Sequence, residues 1–238
     1  MVLLLPEGIS RSARSGRPVR PTRASRTVPR MSAAPPTAEP LVGSFVRLDP
    51  VQPADAAGLH AVYTDPVVYT QGYIMRPPPA DLAETQARVA ADVAAREAGR
   101  TAYTVRLLGD GALGEAGTIV GTSSLGDLDL ASERAHLGWT MYGSRWWGTE
   151  VNPETKLLLL AHAFEDCGFG RVKIQTDAVN PRSQAAIAKL GATREGVLRR
   201  HTRRADGTFR DTVVFSILRD EWPAVRAGLR RRLGLPEG

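Results

Sequence analysis

Apolar positions along residues 41–233 recur at two spacings, and these predict both strands and helices. Short runs rich in β-branched and aromatic residues, bounded by Gly, Asp or Ser, predict strands. These runs are 45–48, 101–108, 118–125, 134–141, 171–177, 197–203 and 212–217. Asp206-Gly207 predicts the hairpin turn between the last two strands.

Apolar residues three and four positions apart predict helices over 53–63, 81–97, 180–190 and about 220–233, and a further helix that opens at Asn152-Pro153. Asn is a favoured N-cap and Pro is favoured at the first helical position, so Asn152 and Asn180 both predict helix starts. The order of elements contains one crossover helix, which predicts an α+β fold with a mixed sheet.

The stretch 139–167 predicts a strand, a Gly-containing loop and the helix that opens at Asn152. Backbone N–H groups at a helix N-terminus lack intrahelical partners and lie at the positive end of the helix dipole, so such an end can bind phosphate. Any buried helix after a strand has the same pattern, and this segment alone leaves both interpretations open. The start at Asn180-Pro181 also follows a strand, and two such ends in one crevice would suit a ligand with several phosphates.

The positive charge of the chain is concentrated near its N-terminus. The formal net charge is +6 over 238 residues. Residues 1–40 hold seven Arg against Glu7 and Glu39, a net of +5, which leaves +1 for residues 41–238. A nucleic-acid-binding domain would carry its basic residues on a folded face. We therefore expect no nucleic-acid partner, except through the Arg-rich tail.

Three segments follow from this composition. Residues 1–40 are rich in Arg, Ser and Pro without apolar periodicity, which predicts a disordered tail. A transit peptide, a cationic arm and a translation start at Met31 all remain open for this tail. Residues 41–233 predict a single domain, and 234–238 a disordered end.

The single cysteine, Cys167, excludes an intramolecular disulfide and a Cys-cluster metal site, and no metal is expected. No apolar run approaches the length of a membrane span. We therefore expect a cytoplasmic protein without a membrane partner.

Residues 41–223 resemble the GCN5-related N-acetyltransferase (GNAT) family, in the branch of the RimJ/RimL ribosomal-protein N-terminal acetyltransferases. Several short pieces, each weak alone, carry the resemblance. They are Gly138-Trp139-Thr140-Met141, Trp147-Gly148, Glu154, Ala163-Phe164-Glu165, Arg171-Val172, Asp177, Asn180, Ser183, Lys189-Leu190-Gly191 and Glu195-Gly196.

The resemblance implies a mostly antiparallel, seven-stranded sheet flanked by helices and splayed at its central strands, where acetyl-CoA, the acyl donor, would lie. The implied cofactor-binding residues are Trp139, Thr140, Met141, Arg145, Trp147, Gly148, Thr149, Asn152, Asn180 and Ser183. Arg145 and Gly148 match the family's pyrophosphate loop, whereas Glu150 stands where relatives have Gly or Ala. A carboxylate there would repel a pyrophosphate unless it turned outward, and Lys156 is a candidate to offset it.

Acetyl transfer to an amine needs a base for the amine and a proton source for the leaving thiolate. Relatives often use a Tyr as the acid, but that position here is Ile187. His136 stands where relatives often carry Glu, and it is the leading candidate base, although a lone strand His is more often a packed residue. Glu133 is the second candidate, with Asp177 and His201 weaker.

The resemblance implies an N-acyltransferase that moves an acetyl group to a primary amine by direct attack in a ternary complex. The acceptor would be a small molecule or a peptide, such as a protein N-terminus, and a homodimer is possible. The alternative is a CoA-binding or sensing module without turnover, which Glu150 and the missing Tyr both favour.

Overall fold

The computed structural model describes residues 33–70, 76–204 and 206–236. The described residues form one eight-stranded sheet in the order β1-β2-β3-β4-β5-β6-β8-β7. The strands are β1 (Leu41–Val42), β2 (Val46–Pro50), β3 (Thr101–Leu107), β4 (Ile119–Asp129), β5 (Arg134–Tyr142), β6 (Arg171–Asp177), β7 (Thr193–Arg203) and β8 (Phe209–Leu218). The predicted α+β fold with a mixed, mostly antiparallel sheet is confirmed.

Six α-helices accompany the sheet in the described residues. They are α1 (Ala56–Tyr63), α2 (Pro66–Tyr69), α3 (Leu82–Ala94), α4 (Val151–Ala161), α5 (Pro181–Ala188) and α6 (Trp222–Arg232), and one π-helical turn, His162–Asp166, continues α4. Side chains of α4 and α6 pack in the larger apolar core with the sheet residues Ala135, Leu137 and Val172. Helices α1 and α3 pack in a second cluster with Ala102 and Met141.

The only parallel pair in this sheet of the described residues is β5 with β6. Its register covers three residue pairs, from Arg134↔Arg171 to His136↔Lys173, although both strands continue beyond this point. The predicted splay between the central strands is therefore present, and it begins after His136.

A β-bulge lies at the start of the splay. Strand β5 pairs with β4 at Gly138↔Ser124 and again at Met141↔Thr122, so two residues of β5 stand opposite Ser123. One of them, Trp139, has a φ of 49°, in the left-handed region. A bulge of this kind leaves backbone groups outside the ladder and re-aims side chains. The bulge reverses the alternation of side chains along β5. Leu137 and Tyr142 are an odd number of positions apart, yet both side chains lie in the same core.

The structure differs from the sequence-based predictions at several boundaries. It contains eight strands instead of seven, because the two-residue β1 pairs with β2. Residues 33–40, predicted as part of the tail, pack on the domain: Ala33 is buried and the Ala34 N–H donates to Cys167 O at 2.8 Å. At the other end Leu235 packs against the core. The tail interpretations for residues 1–32, and the predicted end at 237–238, lie outside the described residues.

The predicted N-cap at Asn152 is wrong. Helix α4 begins at Val151 with Glu150 as its N-cap, so Asn152 lies within the first turn and Pro153 at the third position. Pro is tolerated there because the first N–H groups of a helix have no intrahelical acceptor to lose. The predicted start of α5 is confirmed, because Asn180 is its N-cap and Pro181 is its first residue.

Across residues 33–70, 76–204 and 206–236, no helix is both long enough and apolar enough to cross a membrane.

Candidate active site

The candidate base His136 faces the side of the sheet opposite α4, because its neighbours Ala135 and Leu137 enter the core that α4 shares. The side chain is buried, and Nδ1 lies 3.1 Å from Asp127 Oδ2. The same carboxylate oxygen accepts a hydrogen bond from Lys173 Nζ at 3.2 Å. Three neighbouring strands thus bring Asp127, His136 and Lys173 together on one face.

The contact with Asp127 determines which nitrogen of His136 is free. Partial burial acts to raise the pKa of Asp127, but the hydrogen bonds and charges of Lys173 and His136 together outweigh it and lower that pKa, so the group is a carboxylate. A carboxylate only accepts, so Nδ1 of His136 carries the proton and Nε2 the lone pair. Nε2 is buried without a hydrogen-bond partner among the described residues. This tautomer is the one that a general base requires.

Burial, reinforced by the charge of Lys173, lowers the pKa of His136 to about 4. The imidazole is therefore neutral at neutral pH. Gly138 makes room for the ring, since a Cβ atom there would lie 2.6 Å from Nε2. The indole of Trp139 covers the ring at a centroid distance of 4.7 Å, and Arg100 lies over the indole at 5.2 Å.

A second polar cluster lies on the α4 side of the bulge. Lys156 Nζ donates to Thr140 Oγ1 at 2.6 Å and to Ser123 Oγ at 3.1 Å, and the two hydroxyl oxygens are 2.8 Å apart. Lys156 and Ser123 are buried, whereas Thr140 is exposed. Burial lowers the pKa of Lys156 to about 7. The expectation that Lys156 offsets Glu150 is not met, because its ammonium group points to the bulge.

The loop before α4 has the backbone that its sequence predicts. Gly148 has a φ of 80°, with open space where a side chain would stand. The Thr149 hydroxyl donates to Trp146 O at 2.8 Å, which closes the loop. The first backbone bond of the helix runs from Glu154 N to Glu150 O, so the N–H groups of the first turn have no intrahelical partner. The Glu150 carboxylate is half-buried at this positive end.

One side-chain contact connects the starts of the two helices. The guanidinium of Arg182, in the first turn of α5, lies 3.3 Å from the ring centroid of Trp147 in the loop before α4. Trp147 is held in turn by a hydrogen bond from its Nε1 to Tyr142 O at 3.1 Å. Asn180 Oδ1 accepts from Ser183 N at 2.9 Å, so these two predicted cofactor residues form the N-cap of α5.

Several candidate site residues lie away from the His136 and Lys156 clusters. Glu133 precedes β5, at the end opposite the splay, and its carboxylate lies 3.6 Å from Arg219. Arg145 lines a cavity of about 470 Å³ with Asp110, Glu115 and Trp146. Met141 packs in the cluster under α1. In the described part of the chain, no contact of Glu133 links it to His136.

The two weaker candidates have structural partners. Asp177 is buried and forms an ion pair with Arg204 at 2.8 Å. His201 is exposed on the edge strand β7, where Nδ1 lies 3.0 Å from Thr212 Oγ1.

Sequence reasoning missed Asp127, Lys173 and the connection of Lys156 to the bulge. One sequence feature could have indicated the last. Lys156 directly precedes the run Leu157–Leu160, so a charged residue stood inside an apolar helix body. For Asp127 no local pattern exists, because its approach to His136 depends on the register of β4 with β5.

The GNAT profile, described as the acetyltransferase (GNAT) domain, matches residues 46–193. The chain is 30% identical over 106 residues to "Putative ribosomal N-acetyltransferase YdaF" of Bacillus subtilis (strain 168). That match covers 44% of this chain and 57% of the relative.

Solved structures agree in fold. A crystal structure from T. thermophilus, described as a "putative acetyltransferase", is 37% identical, with a TM-score of 0.72, over 83% of this chain and 98% of that one. Mycobacterium smegmatis RimJ in complex with CoA-disulfide is 20% identical, with a TM-score of 0.70, over 84% of this chain and 97% of that one.

Proposed function

Because the chain belongs to the GNAT acetyltransferase family, we propose that it transfers an acetyl group from acetyl-CoA to a primary amine by direct attack in a ternary complex. The observation that carries the proposal is the divergence of β5 from β6 after His136, directly beside the bulge at Trp139. The divergence leaves the edges of both strands unpaired toward the gap. Backbone groups there are free to bind an extended, amide-containing ligand.

The residues around the splay fit acetyl-CoA as the donor. The contact of Arg182 with Trp147 connects the start of α5 with the loop before α4, and Arg182 adds a positive charge to the first turn of α5. This arrangement suits a ligand with several phosphates. Acetyl-CoA supplies a thioester carbonyl that is activated toward an amine. We assign Trp147, Gly148, Thr149, Asn152, Asn180 and Ser183 to its phosphate region, and Trp139, Thr140 and the backbone of Met141 to its acyl end.

His136 is the proposed base. Its Nε2 has a lone pair and no partner among the described residues, and Asp127 holds the ring in the required tautomer. The neutral imidazole takes a proton from the acceptor amine at Nε2, and the Asp127 carboxylate stabilises the charge that forms. Glu133 has no place in this assignment.

The proposed acceptor is a primary amine on a peptide, such as a protein N-terminus. Two relatives support this class, since one is named a ribosomal N-acetyltransferase and another is "RimL- Ribosomal L7/L12 alpha-N-protein acetyltransferase". The face that holds His136 is half-open, because Trp139 is 45% exposed there. A small amine remains the alternative acceptor.

Glu150 supports a second function, a CoA-binding module without turnover. A carboxylate at the N-cap of α4 already satisfies the positive end of the helix dipole. In such a module the fold would bind CoA weakly, or bind another ligand in its place.

A melting-temperature titration with acetyl-CoA tests both functions, on wild type and on Glu150→Gly. A ligand that binds only the folded state raises its stability, by about 2.7 kcal/mol at 100 times Kd. We expect a saturable rise in both proteins, and release of free CoA when peptides with free N-termini are added. A rise without CoA release for any amine would favour the binding module. A rise in the variant alone would show that Glu150 closes the phosphate site.

A further inference from the structure

Lysine is rare in this chain, and one of its lysines is buried beneath the bulge. Of 31 Lys and Arg residues only three are Lys, namely Lys156, Lys173 and Lys189. Arginine stays charged at every accessible pH, whereas a buried lysine can lose its proton. Of these two residue types, lysine is therefore the one that can donate a proton and later regain it.

Lys156 meets only hydroxyl groups. Its ammonium donates to Thr140 Oγ1 and Ser123 Oγ, and no carboxylate in the described part of the chain pairs with it. A buried ammonium without a counter-ion destabilises a fold, because neither hydroxyl compensates its lost hydration. A merely structural role would be served better by an apolar residue of similar size.

Thr140 connects this buried cation to the splay. Its oxygen accepts from Lys156, and its side chain is exposed where β5 has left β6. An oxygen that already accepts from an ammonium becomes a stronger donor through its own hydrogen. When Ser123 Oγ, 2.8 Å away, donates to Thr140 Oγ1, the Thr140 O–H can donate into the gap, because its remaining contact with Gly138 O is long, at 3.4 Å.

We propose that Lys156 is a positioning residue that recharges Thr140, and that Thr140 protonates the thiolate of CoA as it leaves. This inference rests on the proposed acetyl transfer. As the C–S bond breaks, its electron pair goes to sulfur. Thr140 Oγ1 gives its proton to that sulfur, and Lys156 Nζ returns a proton to Oγ1 and becomes a neutral amine. The proton lost by the acceptor amine ends on His136 Nε2, and solvent later exchanges both. Ile187, buried at 6% exposure, supplies no proton.

The charged groups around Lys156 leave this role open to it. On β5, His136 is neutral at neutral pH, because burial and the charges of Lys173 and Lys156 lower its pKa. On its own helix, Glu154 binds the backbone of residues 44–46, and Glu150 stands at the N-cap. On β4 its contact is the Ser123 hydroxyl. Its lowered pKa, about 7, lies below the ordinary thiol value of about 8.5, so transfer toward a thiolate is downhill.

The first test is a pH titration of the three lysines by NMR, with their side chains labelled, in the full-length protein. Lys189 is exposed and serves as an internal reference. We expect the Lys156 signal to titrate near pH 7 in the free protein and at higher pH when CoA is bound, because a thiolate beside it favours the charged form. A Lys156 signal that CoA leaves unmoved would overturn the proposal.

The second test follows the thiol of bound CoA by the ultraviolet absorbance of its thiolate. In wild type the thiolate should form at a pH lower by about one unit than in Lys156→Met or Thr140→Val, in line with an opposite charge nearby. Thr140 is exposed, so Thr140→Val keeps the fold even if Lys156→Met does not. Lys189→Met is the matched control and should behave as wild type.

Turnover separates this inference from the proposed function. With saturating acetyl-CoA and amine, we expect kcat to fall about 100-fold in Thr140→Val and in Lys156→Met, with little change in the KM for acetyl-CoA. Variants that bind CoA and keep both kcat and the thiol titration of wild type would refute the Lys156 role alone. Absence of CoA binding in wild type would instead refute the acetyltransferase proposal.

Discussion

At the scale of single residues, the partners of His136 determine its chemistry. A lone histidine on a strand is usually a packed residue, and the burial of this one agrees with that. Its contact with Asp127 and its unpartnered Nε2 distinguish it from an ordinary core histidine. Buried polar atoms without partners are rare and call for an explanation. The acceptor amine that we propose to bind at Nε2 provides that explanation.

Replacement of Asp127 by Asn tests this assignment. The Asn amide can donate to Nδ1, which would move the proton of His136 to Nε2 and remove the base. We expect kcat to fall roughly 10-fold to 100-fold in Asp127→Asn, and at least as much in His136→Gln, in a CoA-release assay. His201→Gln, on the edge strand, is the control that should retain activity. Full activity in Asp127→Asn would contradict the proposed tautomer.

At the scale of elements, Glu154 attaches the first hairpin to α4. Its carboxylate is buried and accepts three backbone N–H groups, from Ser44, Phe45 and Val46, at 2.6–2.7 Å. Gly43 is needed for this approach, because a Cβ atom there would lie 2.4 Å from Glu154 Cδ. Glu154 is one of the residues that carry the family resemblance, and the structure gives it this structural role.

Loss of the three hydrogen bonds to Glu154 should destabilise the domain and leave His136 and its partners unchanged. Hydrogen bonds to a charged group contribute about 1.5–3 kcal/mol each, and an amide in their place would set its NH₂ against backbone donors. We expect Glu154→Gln to lower the free energy of unfolding by about 3 kcal/mol in urea denaturation. Glu97→Gln, at an exposed turn, is the matched control. Equal stabilities of the two variants would show that the three contacts contribute little.

At the scale of the whole molecule, residues 33–40 belong to the packed domain. The Tyr103 hydroxyl donates to Thr37 O at 3.0 Å, and Tyr103 itself is fully buried in β3. Ala33 is buried and Ala34 bonds to Cys167 O. The sequence of residues 33–40 has no apolar periodicity, and composition alone therefore assigned this segment to the tail.

Two truncated proteins, beginning at Met31 and at Leu41, test this boundary. The shorter one loses two hydrogen bonds and the burial of Ala33, worth about 2 kcal/mol together. In a domain of this size such a loss lowers the melting temperature by roughly 4–8 °C. Calorimetry under identical conditions measures the difference. Identical melting curves for the two proteins would show that residues 33–40 do not stabilise the domain.

Local chemistry in the sequence was sufficient to predict most elements, among them the helices that start near Asn152 and at Asn180. Asn180 caps α5, Gly148 has its left-handed conformation and the turn at Gly207 joins β7 to β8 as predicted, because each depends on residues a few positions apart. The splay was also predicted, but from the family resemblance. All of these features were predicted without knowledge of how the elements pack.

Only the tertiary structure decided which side chains share the site. The extra residue in the bulge of β5 reverses the alternation of side chains, which places Thr140 on the α4 side and His136 on the opposite face. Strand register then brings Asp127 to His136, and helix packing brings Lys156 to Thr140. These contacts join residues 9 and 16 positions apart in the chain. Local sequence patterns do not encode them, because they depend on how separate elements pair and pack.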